Sequence, residues 1–274
     1  MTRSSTEQIT GNTPLINEAR VGPVAFITLI NPAARNALST TMMEALSTAI
    51  SKINDDPDIS VVVLRGEGPV FCAGHDLKEM LAHKEDADGG RAFYDRLFSQ
   101  CSDLMMSIVQ SPKPFIAEID GVATAAGCQL VATCDMAYAS EASRFATSGI
   151  NLGLFCSTPM VALSRNVSRK NAMEMLLTGD MTSAEEAMRT GLINRSLPKD
   201  ALTDEVMRVA TRIASQSPAV VKLGKQAFYR QLEVGLTGAY ALTAEVMTEN
   251  MLMHDAGEGF TAFFGKRKPE WEGK

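Results

Sequence analysis

The sequence predicts an α/β protein, and two observations carry that prediction. Short β-branched apolar runs alternate with segments of helical periodicity through the first part of the chain. The part beyond them, roughly the last 75 residues, reads as nearly continuous helix. Val24-Ala25-Phe26-Ile27-Thr28-Leu29-Ile30 is the first strand, closed by Asn31-Pro32. A helix follows, with Thr41 and Glu44 at capping-box spacing and Leu46, Ala49, Ile50 and Ile53 on one apolar face. Val61-Val62-Val63-Leu64 is apolar throughout and predicts a strand buried on both faces. Phe115–Ile119 and Met136–Ala139 complete the set of strands. Ser183-Ala184-Glu185-Glu186 then opens a helix with capping-box spacing, and Ser217-Pro218 opens another with Ser at the cap and Pro at the first helical position. The pairs Met42-Met43 and Met105-Met106 read as core filling.

The 274 residues suffice for one large core or two small ones. The pattern divides the chain into an α/β core over 13–200 and a helical region over 201–274, whose Met- and Leu-rich tail is expected to pack against a partner subunit. A net charge of −6 gives no general reason to expect nucleic acid or an anionic membrane as partner. No apolar run reaches the ~18 residues of a membrane span. Cys72, Cys101, Cys128, Cys134 and Cys156 are odd in number and form no C-x-x-C pair, which points to a reducing compartment. That compartment is the cytoplasm, or the mitochondrial matrix if a presequence has been removed. The polar start, MTRSSTEQITGNTP, lacks an apolar stretch and reads as a frayed terminus. No Cys/His cluster has metal spacing, and no phosphate-loop or dinucleotide glycine motif occurs. His83 and His254 read as surface residues.

Two strand-to-helix junctions stand out. Phe71-Cys72-Ala73-Gly74-His75-Asp76-Leu77-Lys78 follows the Val61–Leu64 strand and precedes a helical pattern. Asp120-Gly121-Val122-Ala123-Thr124-Ala125-Ala126-Gly127-Cys128-Gln129-Leu130 follows the Phe115–Ile119 strand and is built almost wholly of small residues. Amides at a helix start are unsatisfied donors in a positive potential, so two such junctions facing each other hold an oxyanion between two N–H groups. Taken alone, each reads more simply as a tight turn with small residues for packing.

The ordered set Asn31-Pro32…Asn36-Ala37-Leu38, Phe71…Ala73-Gly74-x-Asp76, Gly121…Ala126-Gly127-Cys128, Ser183-Ala184-x-Glu186-Ala187…Gly191-Leu192-Ile193 and Phe263…Lys266-Arg267-Lys268 resembles the crotonase (enoyl-CoA hydratase/isomerase) superfamily over nearly the whole chain. The resemblance implies a crotonase-like (ClpP/crotonase) fold of repeated ββα units with a helical C-terminal trimerisation region, and homotrimers or homohexamers. It implies an acyl-CoA substrate, coenzyme A entering as part of that substrate with no separate cofactor. It puts one oxyanion amide on His75 and the other on Ala126. Backbone around Ala73, Asp76 and Leu77 would meet the adenine, and Lys266 with Phe263 a neighbouring subunit's CoA. Arg35 is either a contact to the CoA phosphates or a residue on a solvated turn.

The departures from the family pattern matter equally. The two glutamates of hydratases fall on Gln129 and Gly149, and an isomerase aspartate falls on Ser157; none of these exchanges a proton near neutral pH. Ordinary hydration is therefore expected to be slow or absent, and reinstating Glu at 129 and 149 is expected to raise it. An acyl-CoA decarboxylase, an isomerase or a non-catalytic acyl-CoA-binding protein are the alternatives; Ala-Gly-His-Asp also resembles a turn of methylmalonyl-CoA-type decarboxylases. The His75 side chain either points away or places a polar group near the thioester. Cys156-Ser157 is read as a helix cap, with a nucleophile or donor in the acyl pocket as the alternative. Gln129 is either a core amide or a group orienting water or an acyl carboxylate.

Overall fold

The computed structural model describes residues 14–274; the reading of the polar N-terminal stretch lies largely outside them. A six-stranded sheet runs in the order β1 (Ile16–Val21), β2 (Val24–Leu29), β3 (Val61–Gly66), β5 (Phe115–Ile119), β7 (Met136–Ser140) and β10 (Arg195–Leu197). β1 and β2 form an antiparallel hairpin, and every other pairing in this sheet is parallel. A second sheet holds β4 (Val70–Cys72), β6 (Val122–Thr124), β8 (Arg144–Ala146) and the short antiparallel β9 (Thr182–Ser183).

The repeat is visible in these orders. β3 and β4, β5 and β6, β7 and β8 are three successive pairs, the first strand of each joining the large sheet and the second the small one. The first two pairs lead into helices, α2 (Leu77–Ala82) followed by α3 (Arg91–Gln110), and α4 (Ala126–Thr133). The first turn of the chain joins the same stack: Leu38, just before α1 (Thr40–Asp55), pairs with His75 in a single parallel bridge.

Alternation on β3 explains the two cores. Val62 and Leu64 join the larger cluster with Leu46, Ile50 and Ile53 of α1 and Leu97 and Leu104 of α3. Val61 and Val63 face the other way, against Leu202, Val206 and Ala210 of α8 (Lys199–Ala214). The continuously apolar run is thus a strand buried on both faces. Packing of the sheet continues across residue 200, where the chain turns to helix.

Other elements follow their local signals with specific exceptions. Ser183 caps α7 (Ala184–Thr190) by accepting from the Glu186 amide, and Ser217 caps α9 (Pro218–Leu232) by accepting from the Val220 amide. At α1 the cap is Ser39, which accepts from the Met42 amide, and not Thr41. Thr41 sits inside the first turn, so its spacing to Glu44 makes no capping box. Met42, Met43 and Met105 are core residues, but Met106 is exposed. All five cysteines are free and buried.

α5 (Pro159–Asn166) and α6 (Arg169–Thr178) lie between β8 and β9 in sequence, and α10 (Leu236–Leu252) and α11 (His254–Phe264) end the chain. α10 has no buried residue. Leu236, Leu252 and Phe264 are 76%, 82% and 78% exposed. No helix among the described residues is long and apolar enough to cross a membrane.

Candidate active site

Parallel strands deliver their C-terminal ends to one side of a sheet, where ligands of such folds are bound. Here the successive turns open on one cavity of about 940 Å³. The first turn contributes Arg35, the β4–α2 junction Ala73, His75 and Asp76, the β6–α4 junction Ala125 and Ala126, and the segment after β8 Gly149 and Ser157.

Backbone contacts fix these turns against one another. The Leu38 amide donates to Gly74 O at 2.7 Å, and the Ala73 amide to Arg35 O at 3.1 Å. The Thr124 hydroxyl donates to Ala73 O at 3.0 Å, and the Ala125 amide to Ala146 O at 2.9 Å. Gly74 has φ +93°, and a Cβ there would lie 2.9 Å from Ala125 Cβ and 3.0 Å from the Ala126 nitrogen. Only glycine lets the two junctions close to this distance. Ala125 itself takes φ 50°, ψ −119°, a costly conformation for alanine that turns the chain sharply into α4. Neither the His75 nor the Ala126 amide donates to a backbone acceptor among the described residues.

Asn36 holds the first turn, a role its sequence neighbourhood did not reveal. Fully buried, it donates through Nδ2 to Glu67 O (2.9 Å) and Val70 O (2.7 Å) and accepts from the Asn31 amide (2.8 Å). Arg35 and Asn36 both have positive φ, which aims Arg35 at the cavity rim.

α2 forms a wall with Leu77, Lys78 and Met80. Asp76 caps it by accepting from the Lys78 and Glu79 amides at 2.8 and 3.2 Å. Glu79 accepts from the Thr40 amide and hydroxyl, and Tyr94 donates to Met80 O at 2.9 Å. Phe98 of α3 with Leu152, Leu154 and Phe155 adds an apolar stretch of wall that carried no signal of its own in the sequence.

The other residues singled out in the sequence take up varied positions, and one reading, the cap at Cys156-Ser157, is overturned. Gln129 is 5% exposed and its Oε1 lies 4.0 Å from Cys101 Sγ, the surroundings of the core amide that is one of its two readings. Gly149 does line the cavity, but a Cβ there would lie 2.6 Å from Leu154 O and 2.8 Å from Cys156 Sγ. The N-cap position of α5 is Thr158, without a side-chain cap bond, so neither Cys156 nor Ser157 caps the helix. Burial pushes the Cys156 thiol pKa up, keeping it in the protonated, weakly nucleophilic form. Phe263 and Lys266, expected at a neighbouring subunit's site and not at their own, lie outside the wall formed by their own chain. Glu118 faces Thr203 at 2.6 Å and Asp120 pairs with Lys199 at 2.7 Å, so neither supplies a carboxylate to the cavity.

The comparisons with known proteins agree with this architecture. A family model described as enoyl-CoA hydratase/isomerase matches residues 20–274. Human enoyl-CoA hydratase domain-containing protein 3, mitochondrial, is 50% identical over 245 residues, 89% of this chain and 79% of that protein. The mitochondrial enoyl-CoA hydratase of Pongo abelii is 32% identical over 250 residues, 91% and 83% of the two chains. The crystal structure of the human domain-containing protein 3 matches with a TM-score of 0.90 at 47% identity, covering 94% of this chain and all of that one. That of an enoyl-CoA hydratase from Mycobacterium smegmatis matches at 0.89 and 48%, covering 94% and 99%. The fold is the crotonase fold, and the chain belongs to the enoyl-CoA hydratase/isomerase family.

Proposed function

We propose that the cavity binds an acyl-CoA, holds its thioester carbonyl oxygen between the amides of His75 and Ala126, and stabilises the enolate derived from it. The observation that carries this reading is the contact of the two junctions through Gly74, beside the free Ala126 amide at the start of α4. Donors fixed before the reaction need no reorganisation as charge develops on the oxygen, which is why such a pair lowers the barrier. Ala73, Asp76 and Leu77 would line the adenine's path, with Arg35 toward the phosphates; all four border the cavity.

Proton transfer by the family's usual pair is not part of the reading. Asp76 is the one carboxylate in the wall among the described residues, and its Oδ1 is engaged in the α2 cap. Gln129, Gly149 and Ser157 offer no replacement. Each proton-transfer group contributes roughly 10²–10⁴-fold to such reactions, so hydration of crotonyl-CoA is expected to be far below that of a glutamate-bearing hydratase. Enolate formation by loss of carbon dioxide, or binding without turnover, fits a wall of this composition. A panel of saturated, unsaturated and carboxylated acyl-CoAs tests the reading. Binding that is lost when the thioester carbonyl is replaced by a thioether methylene supports it, and any enolate-derived product makes the protein an enzyme. Equal binding of thioester and thioether overturns the oxyanion role.

Assembly through the C-terminal helices completes the proposal. Leu236 and Leu252 of α10 and Phe263 and Phe264 of α11 are all exposed, and large apolar side chains gathered on one part of a surface mark an interaction site. Closed three-fold association, doubled to a hexamer, would cover it and bring Phe263 and Lys266 to a neighbour's CoA. Light scattering is expected to give a trimer or hexamer. Lys266→Ala is expected to weaken CoA binding about two- to fivefold, less in high salt, with the fold intact. A monomer at micromolar concentration that binds CoA normally contradicts this. The mitochondrial names of the relatives and the five buried thiols favour the matrix or another reducing compartment.

A further inference from the structure

His75 Nε2 is one of three buried side-chain polar atoms without a hydrogen-bond partner among the described residues. The other ring nitrogen, Nδ1, lies 3.2 Å from the Leu38 carbonyl oxygen. A carbonyl oxygen only accepts, so Nδ1 carries the hydrogen and Nε2 of the neutral ring presents a lone pair. The ring stands edge-on to Phe98, centroids 5.6 Å apart, and both residues line the cavity. Burial holds the imidazole pKa below the usual histidine range, against the smaller opposing effects of the Leu38 carbonyl and Glu79. The ring is therefore neutral and an acceptor at neutral pH. Leu38 is the residue whose amide secures Gly74, so the contact that orients the ring also belongs to the frame of the site.

We propose that His75 determines specificity, its Nε2 accepting a hydrogen bond from a hydroxyl group on the acyl chain of the bound thioester. The inference rests on the acyl-CoA reading above. In that reading the His75 amide meets the thioester oxygen, which places the ring within one side-chain length of the first acyl carbons. A plain alkyl chain leaves the buried acceptor desolvated and unpaired. A carboxylate presents lone pairs to a lone pair. A neutral hydroxyl supplies the missing donor and needs no counter-charge.

Calorimetric titration of the full chain with butyryl-CoA and with its 2-, 3- and 4-hydroxy derivatives tests this. At least one hydroxylated thioester is expected to bind about tenfold more tightly than butyryl-CoA. In His75→Phe, which fills the space without the nitrogen, that ratio is expected to fall to about twofold or less. In the wild-type protein, the ¹⁵N resonance of Nε2 is expected to move on binding the preferred hydroxylated thioester and to stay in place with butyryl-CoA, a readout that needs no variant to fold. Equal affinities in the wild type, a preference that survives His75→Phe, or an unmoved Nε2 resonance overturns the proposal and leaves the acyl-CoA reading standing. Failure of butyryl-CoA and all its derivatives to bind overturns the acyl-CoA reading itself.

Discussion

Lys225→Met is expected to lower the unfolding free energy by about 3–5 kcal/mol, the cost of leaving a buried charge without its partner. Lys225 reaches from α9 into the end of the core and donates to Asp135 Oδ2 (2.7 Å), Ile108 O (2.9 Å) and Lys113 O (2.9 Å). Asp135 also accepts from the Phe115 amide at 2.7 Å and from the Tyr229 hydroxyl at 2.8 Å. Met is of similar length and keeps the packing, but it strands the carboxylate and two carbonyl oxygens. Burial draws the Lys225 pKa down and Asp135 draws it up, burial being the larger effect. The pair sits where β5 and β7 begin, the end of the sheet opposite the cavity. The loss should therefore appear in urea unfolding while CoA binding by the folded fraction is retained. Pairing the change with Asp135→Asn is expected to recover part of it, because the stranded charge is then gone. A Lys225→Met variant as stable as the parent would mean that the network contributes nothing to docking α9.

Gly149→Glu is expected to destabilise the protein by about 1–3 kcal/mol or more and to yield no hydratase. The space a side chain would enter is taken by Leu154 O and Cys156 Sγ, and the Leu154 amide donates to Gly149 O at 3.0 Å, closing the loop on itself. The first atom of any side chain displaces backbone there. Gly149→Ala isolates that steric cost and should show most of the same loss in thermal or urea unfolding. The second change, Gln129→Glu, would bury a carboxylate beside Cys101 instead of presenting it to the cavity. The double variant is thus expected to be less stable and still without appreciable crotonyl-CoA hydration, contrary to what the sequence alone suggests. A stable double variant that hydrates crotonyl-CoA would show that the loop yields and that both positions reach the substrate.

These two cases mark how far local pattern reaches. Strands such as Val61–Leu64, and the caps at Ser183 and Ser217, are set by residues within a few positions of one another, and they stand in the structure as the sequence predicts. The cavity between the two small-residue junctions was legible for the same reason. Ser39, Thr40 and Thr41 are three consecutive candidate caps, and nothing local ranks them; Glu79, far along the chain, takes the Thr40 amide and hydroxyl. α4 is buried on every side, so its periodicity does not say which face meets the cavity, and the sequence leaves Gln129 open between the core and the acyl group. The Asp135–Lys225 pair and the return of Leu154 onto Gly149 join residues through the fold, with no trace in the spacing of the chain.

The most direct test of the central claim is a titration with acetoacetyl-CoA, whose enolate has its own near-ultraviolet absorption band. It is best done at a pH where the free thioester is mostly in the keto form. If the amides of His75 and Ala126 hold an oxyanion, the enolate band should grow in proportion to bound ligand, because the site favours the charged oxygen over the neutral carbonyl. Binding of acetoacetyl-CoA with no growth of that band, or no binding at all, would contradict the account.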